Sequence, residues 1–264
     1  VLNSLVYSFL RICYHLRDLY ALAASSQKIN SVFELDYEPC VVNSNCIDVQ
    51  DLNESPKITF DNITYVSRLG NNVIKNFCLT ISSGEIICLI ISSKRRKNLL
   101  LDSLLGFNFT YQGNIRLNGN ILTTEEKLLL RNKTSLVQDV EFIPGTLYEN
   151  LTLKRQDVSK AELNYMFRKF NILSEIESLP AGIESTILNH KVELTQAALY
   201  KISIIRAILA KPKLIILDEV IDKLDKSDVQ FTLNYLNEIE SKPTIIVTSK
   251  NQASTDFFKR VVEV

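Results

Sequence analysis

The spacing of apolar positions divides this chain into distinct stretches. At the start, Leu2, Leu5, Val6, Phe9, Ile12, Cys13, Leu16, Leu19, Tyr20 and Ala23 recur every three or four residues, and Ser25, Ser26, Ile29 and Val32 extend the stripe more weakly. That period predicts one helix over residues 1–36 with an apolar face to bury. Residues 37–57 lose the pattern, and Pro39, Asn43, Ser44, Asn45, Asn53, Ser55 and Pro56 make them a linker. Strands are then expected at Ile58–Tyr65, Ile74–Ile81 and Glu85–Ile91, a helix at Asn98–Leu105, and strands at Asn114–Leu117 and Ser135–Gln138. Helical spacing dominates from Thr146 to Ala210. An apolar run at Leu214–Leu217 reads as a buried strand, followed by a helix over Lys226–Ile239 and strands at Thr244–Thr248 and Arg260–Val264. Early antiparallel strands, a helical insert and late β-α-β alternation predict an α/β domain with an all-helical arm.

Composition narrows the reading only a little. With 46% hydrophobic and 23% charged residues among 264, a sizeable core is feasible. A net charge of zero and a pI of about 6.9 argue against a nucleic-acid partner, which calls for a basic face. Cys13, Cys40, Cys46, Cys78 and Cys88 are odd in number and lack CxxC spacing; beside only His15 and His190 they read as free thiols of a reducing compartment. No secretory signal is visible, and no stretch reaches the ~18 uninterrupted apolar residues of a membrane span. Because the first residue is Val1, the chain is expected to be part of a longer one. Glycine is scarce: there are seven, where ~7% usage would give about eighteen. None lies between Gly84 and Gly106, and none follows Gly182.

Candidate chemistry begins at the end of the Leu214–Leu217 strand, where Asp218 and Glu219 stand together. In open α/β sheets that edge holds ligands. In P-loop enzymes an aspartate there holds Mg²⁺, and a following glutamate can orient or deprotonate water. Strands ending in acidic residues are also common without such a role. Upstream, the segment Ile91-Ser-Ser-Lys-Arg-Arg-Lys97-Asn98 joins a strand to a helix and matches the spacing of G-x-x-x-x-G-K-[ST], with Lys97 as the lysine.

From about Ile58 to its end, the chain resembles the nucleotide-binding domain of ATP-binding-cassette (ABC) transporters, most of all the exporters, including the type I secretion group. Gly84-Glu85 precedes the loop, and Gln138 stands at the Q-loop, followed by Asp-Val-Glu-Phe-Ile-Pro-Gly-Thr-Leu-Tyr-Glu-Asn. Leu194, Thr195, Gln196, Ala197 and Ala198 fall at the LSGGQ signature. Asp218-Glu219 match Walker B, Asp222 to Asp225 the D-loop, and Ser249 the switch histidine. The resemblance implies a P-loop NTPase-like ABC core, with a mixed sheet, an antiparallel β-subdomain and a helical subdomain over about 139–212. Residues 1–36 would be the end of a transmembrane-domain helix. It implies ATP and Mg²⁺ as ligands. Ser92, Ser93, Lys94, Arg95, Arg96, Lys97, Asn98 and Leu99 would line the phosphates, with Gln138 beside them and Tyr65 near the base. Asp218, Gln138 and Asn98 would face the metal, and Glu219 would be the catalytic base. It further implies a second such domain, of the same or another chain, docked head to tail so that each ATP lies between one P-loop and the other's signature. A transmembrane domain upstream would place the chain on the cytoplasmic face of a membrane.

The departures from the family are equally specific. Its P-loop glycines fall at Ile91, Lys94 and Arg96, and glycine is what permits φ > 0 and close approach of N–H groups to phosphate. Asn98 replaces a Ser/Thr, Ser249 replaces histidine, Ser67 stands where an aromatic would stack on adenine, and the signature has no glycine. Thr195 and Asp225 have an alternative reason for their places, as helix caps. Three readings follow: an exporter domain with impaired hydrolysis, a non-catalytic scaffold beside a competent subunit, or a soluble relative acting on DNA or ribosomes. The helix over 1–36 and the absence of a basic face argue against the third.

Overall fold

The computed structural model describes residues 2–34, 54–66, 72–107, 110–187, 193–251 and 256–264. It comprises two units, Val1–Val42 and Asn43–Val264. The first is α1 (Leu2–Phe33). Its described side chains are exposed, Tyr7, Leu10, Leu19 and Phe33 included, so within this unit the described part of the apolar stripe has no cover. Among the described residues no helix is long and apolar enough to cross a membrane. Residues 35 and 36, at the end of the expected helix, lie outside the described residues, as does most of the expected linker, residues 37–53. Its last part is well anchored: Ser55 is buried and donates its hydroxyl to the Lys242 carbonyl at 2.6 Å, while Thr244 donates to the Pro56 carbonyl at 2.7 Å.

The second unit holds two sheets. Strands β1 (Ile58–Val66), β2 (Asn72–Ile81), β4 (Gln112–Leu117) and β5 (Asn120–Ile121) form an antiparallel sheet in the order β2-β1-β4-β5. Along β1 the buried positions are Ile58 and Phe60, then Ile63 and Tyr65. A strict period of two would have continued at 62. Asn62 instead adopts φ 53°, and the pairing with β2 and β4 shifts register there, so one extra residue returns the next apolar side chains to the core face. Gly113 on β4, at φ 96°, lets the bulge approach: a Cβ there would lie 2.5 Å from the Asn62 carbonyl oxygen and 2.6 Å from that of Asp61.

The other sheet is parallel, in the order β11 (Val261–Glu263), β3 (Ile86–Ile90), β10 (Thr244–Ser249), β9 (Leu214–Asp218) and β6 (Thr134–Val137). Consecutive residues of β9 serve different cores: Leu214 and Ile216 pack with β1, β3 and α2 (Lys94–Leu104), whereas Ile215 and Leu217 pack with the helical arm. A strand covered on both faces has to be apolar throughout, which is why this run was readable in the sequence.

The stretch expected to be helical from Thr146 to Ala210 is broken. It contains α4 (Leu147–Thr152), α5 (Lys160–Lys169), α6 (Leu173–Ser178) and α7 (Gln196–Leu209), together with a small ladder between β7 (Gly145–Thr146) and β8 (Thr186–Ile187). Helix α3 (Thr124–Asn132) appears where no element was expected. It is announced by a capping box in which Thr123 and Glu126 satisfy each other's backbone N–H. Helix α8 (Lys226–Glu238) packs between the arm and the sheet, and buried Lys201 on α7 reaches its Asp228 at 2.7 Å. The largest difference from expectation is α2, which starts at Lys94 and not at Asn98. Ser93 caps it, and Lys94, Arg95, Arg96 and Lys97 are all good helix formers with no glycine among them to hold a loop open.

Gly113→Ala should therefore lower stability by about 2 kcal/mol or more, since left-handed backbone alone costs ~1–2 kcal/mol and the Asn62 carbonyl would also have to move. Urea unfolding followed by far-UV circular dichroism measures it; an unchanged midpoint would show that the bulge tolerates a side chain.

Candidate functional site

The parallel register brings the carboxyl ends of three strands together. Thr248 on β10 lies opposite Asp218 on β9 and Leu89 on β3, so Ile91, Asp218-Glu219 and Ser249-Lys250 emerge along one edge. Gln138 follows β6 on the same edge and is exposed. The Ile91 N–H donates to the Ser249 carbonyl at 3.0 Å, tying the strand–helix turn to β10. Glu219 turns out of its strand at φ 58°, with its N–H shared between the carbonyl and the hydroxyl of Thr248, both at 3.1 Å. The Thr248 hydroxyl in turn donates to Asp218.

Into this edge α2 projects Lys97, whose side chain is only 3% exposed. Its Nζ lies 2.8 Å from Asp218 Oδ1 and 2.6 Å from Glu219 Oε1. From the other side Lys250 Nζ reaches Glu219 Oε2 at 2.6 Å. Two lysines and two carboxylates thus alternate in one chain of ion pairs, Asp218–Lys97–Glu219–Lys250. Burial alone would push the Lys97 ammonium toward neutrality, but its bonds to Asp218 and Glu219 outweigh this and hold its pKa above the usual lysine range. Burial would likewise raise the Glu219 carboxyl; the bonds from Lys250 and Lys97 prevail and hold it below the usual carboxylate range.

ABC domains in general bind ATP with Mg²⁺, and these residues can be tested against that ligand. A phosphate cradle requires left-handed residues that turn successive N–H groups inward. Among the described residues, the non-glycine positions with positive φ include none from 91 to 98. Ile91 is buried, Ser92 is exposed, and Ser93 spends its oxygen on the Arg96 N–H. Lys94, Arg95 and Arg96 are exposed on the first turn of α2, and Asn98 and Leu99 are half-buried one turn further along. The helix has consumed the loop, and the lysine that would meet phosphate meets carboxylates. The residues do not fit a triphosphate in this conformation.

The remaining expected positions take other partners. Tyr65 is 1% exposed and donates its hydroxyl to the Leu99 carbonyl at 2.9 Å, beside Ser103; it is a core side chain that presents no ring face to a base, which corrects its expected place there. Ser67 lies outside the described residues. Leu194 is half-buried, and Thr195 caps α7 by accepting from the Ala198 N–H at 3.2 Å. Gln196 is exposed, Ala197 half-buried and Ala198 buried. Asp225 caps α8, accepting from the Asp228 N–H at 2.8 Å. Ser249 is buried and donates to Asp222 at 2.6 Å, and the Lys250 N–H donates to the other oxygen of that carboxylate at 3.1 Å. Sequence reasoning missed Lys250 as an ion partner, Thr248 as the clasp on Asp218, and Glu175, whose Oε2 accepts from both the N–H and the hydroxyl of Thr195. None of these has a local signal, because each partner lies 20 or more residues away in the chain.

A parallel sheet with a lysine-bearing helix after one strand and a carboxylate pair after another defines a P-loop NTPase-type core. Its helical arm and antiparallel sheet narrow it further, and the family model described as "ABC transporter" matches residues 74–222. The chain belongs to that family. It is 26% identical over 221 residues to "ATP-dependent permease MDL1" of Candida albicans, covering 83% of this chain and 32% of that protein. It is 27% identical over 208 residues to "ATP-dependent lipid A-core flippase" of Neisseria meningitidis serogroup B, covering 78% and 34%. The chain thus spans about a third of the length of these relatives. A solved bacterial Atm1-family ABC exporter with ATP bound shares the fold at a TM-score of 0.71 and 18% identity, over 88% of this chain and 40% of that one.

Removing one member of a buried ion pair strands the other, at about 3–5 kcal/mol. Lys97→Ala should show a loss of that order in urea unfolding without nucleotide; a loss below about 1 kcal/mol would mean the network is a loose surface contact. The pH dependence has a definite sign. The contribution of Glu219 is present above the ordinary carboxylate titration and is lost as pH falls through its lowered pKa. That of Lys97 is present below the ordinary lysine titration and is lost as pH rises through its raised pKa. Relative to Glu219→Gln, the wild type should therefore lose its stability advantage on the acid side; a constant difference down to about pH 3 would contradict the assignment.

Proposed function

We propose that this chain is the nucleotide-binding domain of an ABC exporter, at the cytoplasmic face of a membrane, in which ATP hydrolysis is impaired. A transmembrane domain upstream in the same chain and a second nucleotide-binding domain, from a like or unlike chain, would complete the transporter. The observation that carries the reading is the position of Lys97 Nζ, 2.8 Å from Asp218 and 2.6 Å from Glu219. A lysine held this way is withdrawn from phosphate, an aspartate held this way from Mg²⁺, and a glutamate between two ammonium groups is a poor base for water.

The same observation favours a second reading, that of a non-catalytic scaffold beside a competent subunit. The network replaces, by internal charge pairs, the tie that a metal and a triphosphate would make between α2, β9 and β10. The domain then holds its shape without ligand and contributes through contact with its partners. In a conformation that opened this network, Lys97 would hold phosphate, Asp218 and Asn98 with Gln138 would hold the metal, and Glu219 would serve as base.

Purified protein with Mg²⁺ and ATP should release no more phosphate than a Glu219→Gln control. A clear difference between the two would sink the claim of impaired hydrolysis. Restoring glycine at 91, 94 and 96 together should not by itself bring turnover back, because Gln196, Ala197 and Ala198 still deny the signature its close backbone approach. Strong turnover in that triple variant would mean that the signature's loss is harmless.

A further inference from the structure

We propose that two copies of this chain pair head to tail without nucleotide, Lys94, Arg95 and Arg96 of one copy meeting Glu175 and Glu193 of the other. The inference rests on the proposed reading in one respect, the head-to-tail dimer that family resemblance implies. What it adds is the chemistry of the contact.

One pole is the start of α2. Lys94, Arg95 and Arg96 are exposed, no acidic residue accompanies them in the first turn, and no ion pair involving them is formed among the described residues. Three cations in the first turn of a helix are disfavoured by its positive end. Neighbouring charges give no relief, because Lys97, Lys250, Asp218 and Glu219 already neutralise one another. The face that should bind phosphate is thus left with three uncompensated positive charges.

The other pole is the start of α7. Here the Glu175 carboxylate, brought in by α6, already accepts the Thr195 N–H at 3.1 Å and the Thr195 hydroxyl at 2.9 Å. Glu193 stands two residues before Thr195 and is exposed. Carboxylates at this place repel a partner's phosphate and attract a partner's cations. Guanidinium groups match them well, since arginine presents two parallel N–H donors to a carboxylate. The two faces that would otherwise be bridged by an anion therefore carry opposite charges of their own. Being mostly exposed pairs, they should be weakened by salt.

Sedimentation of the purified chain without nucleotide tests this. The wild type should be dimeric at ~50 mM NaCl and monomeric at ~500 mM, where screening is several-fold shorter in range. Lys94→Glu/Arg95→Glu/Arg96→Glu makes both poles acidic, and Glu175→Lys/Glu193→Lys makes both basic, so each variant alone should be monomeric. An equimolar mixture should dimerise, because every contact between the two variants is again between opposite charges. That restored dimer also shows that both variants are folded, with circular dichroism as a check on each alone. Dimers that persist in either variant alone would overturn the charge pairing and leave the dimer standing. A dimer that forms only with Mg²⁺ and ATP would overturn the pairing in favour of a phosphate bridge. Wild-type protein that stays monomeric at low salt, with or without nucleotide, would overturn the pairing and the dimer together. Two monomeric variants whose mixture stays monomeric, when both are folded, would also overturn the pairing.

Discussion

A lysine that is 3% exposed has to be neutralised where it sits, and the arrangement of the site follows from how Lys97 meets that demand. Its ammonium takes one oxygen from Asp218 and one from Glu219, and Lys250 holds the other oxygen of Glu219. For the ammonium to arrive there, α2 must start early enough to carry it over the sheet edge. For the carboxylates to meet it, Glu219 must leave its strand in the left-handed conformation, held by Thr248. Here the protein's own charges fill the sheet edge.

The same device recurs at neighbouring polar groups. The start of α7 receives Glu175, Asp222 holds Ser249 and Lys250, and Asp225 holds the start of α8. Polar groups that would be left waiting for a ligand have found partners within the chain. Together these contacts describe a domain whose core is that of the ABC family and whose ligand edge is internally satisfied.

How much of this was legible in the sequence depended on the range of the interaction. The run Leu214–Leu217 is plain because both its faces are buried, and the pattern also places β1, β2, β3, β4, β6, β10, β11 and α8, but not α3 or the breaks between α4 and α7. The bulge at Asn62 is not plain, because it depends on Gly113 approaching from another strand. The start of α2 was misplaced because the spacing of a phosphate loop suggested a loop, whereas Lys94 to Lys97 contain nothing that resists a helix. The capping box at Thr123 was legible in principle, a purely local signal that predicts α3. The family resemblance points Tyr65 toward a base, and only the packing of α2 against β1 shows it in the core. The ion network could not be read, since Lys97, Asp218, Glu219 and Lys250 are brought together by the register of three strands and not by proximity in the chain.

The central claim is that Lys97 serves internal carboxylates in place of phosphate, and its most direct test is the unfolding midpoint of the wild type as Mg²⁺ and ATP are raised together to ~10 mM. A ligand that binds the native state stabilises it by RT ln(1 + [L]/Kd), so even a Kd of ~1 mM would add about 1.4 kcal/mol. The account predicts a flat midpoint across the series. A midpoint that climbs with ATP, and stops climbing when Lys97 is replaced by alanine, would contradict it and return Lys97 to the phosphates.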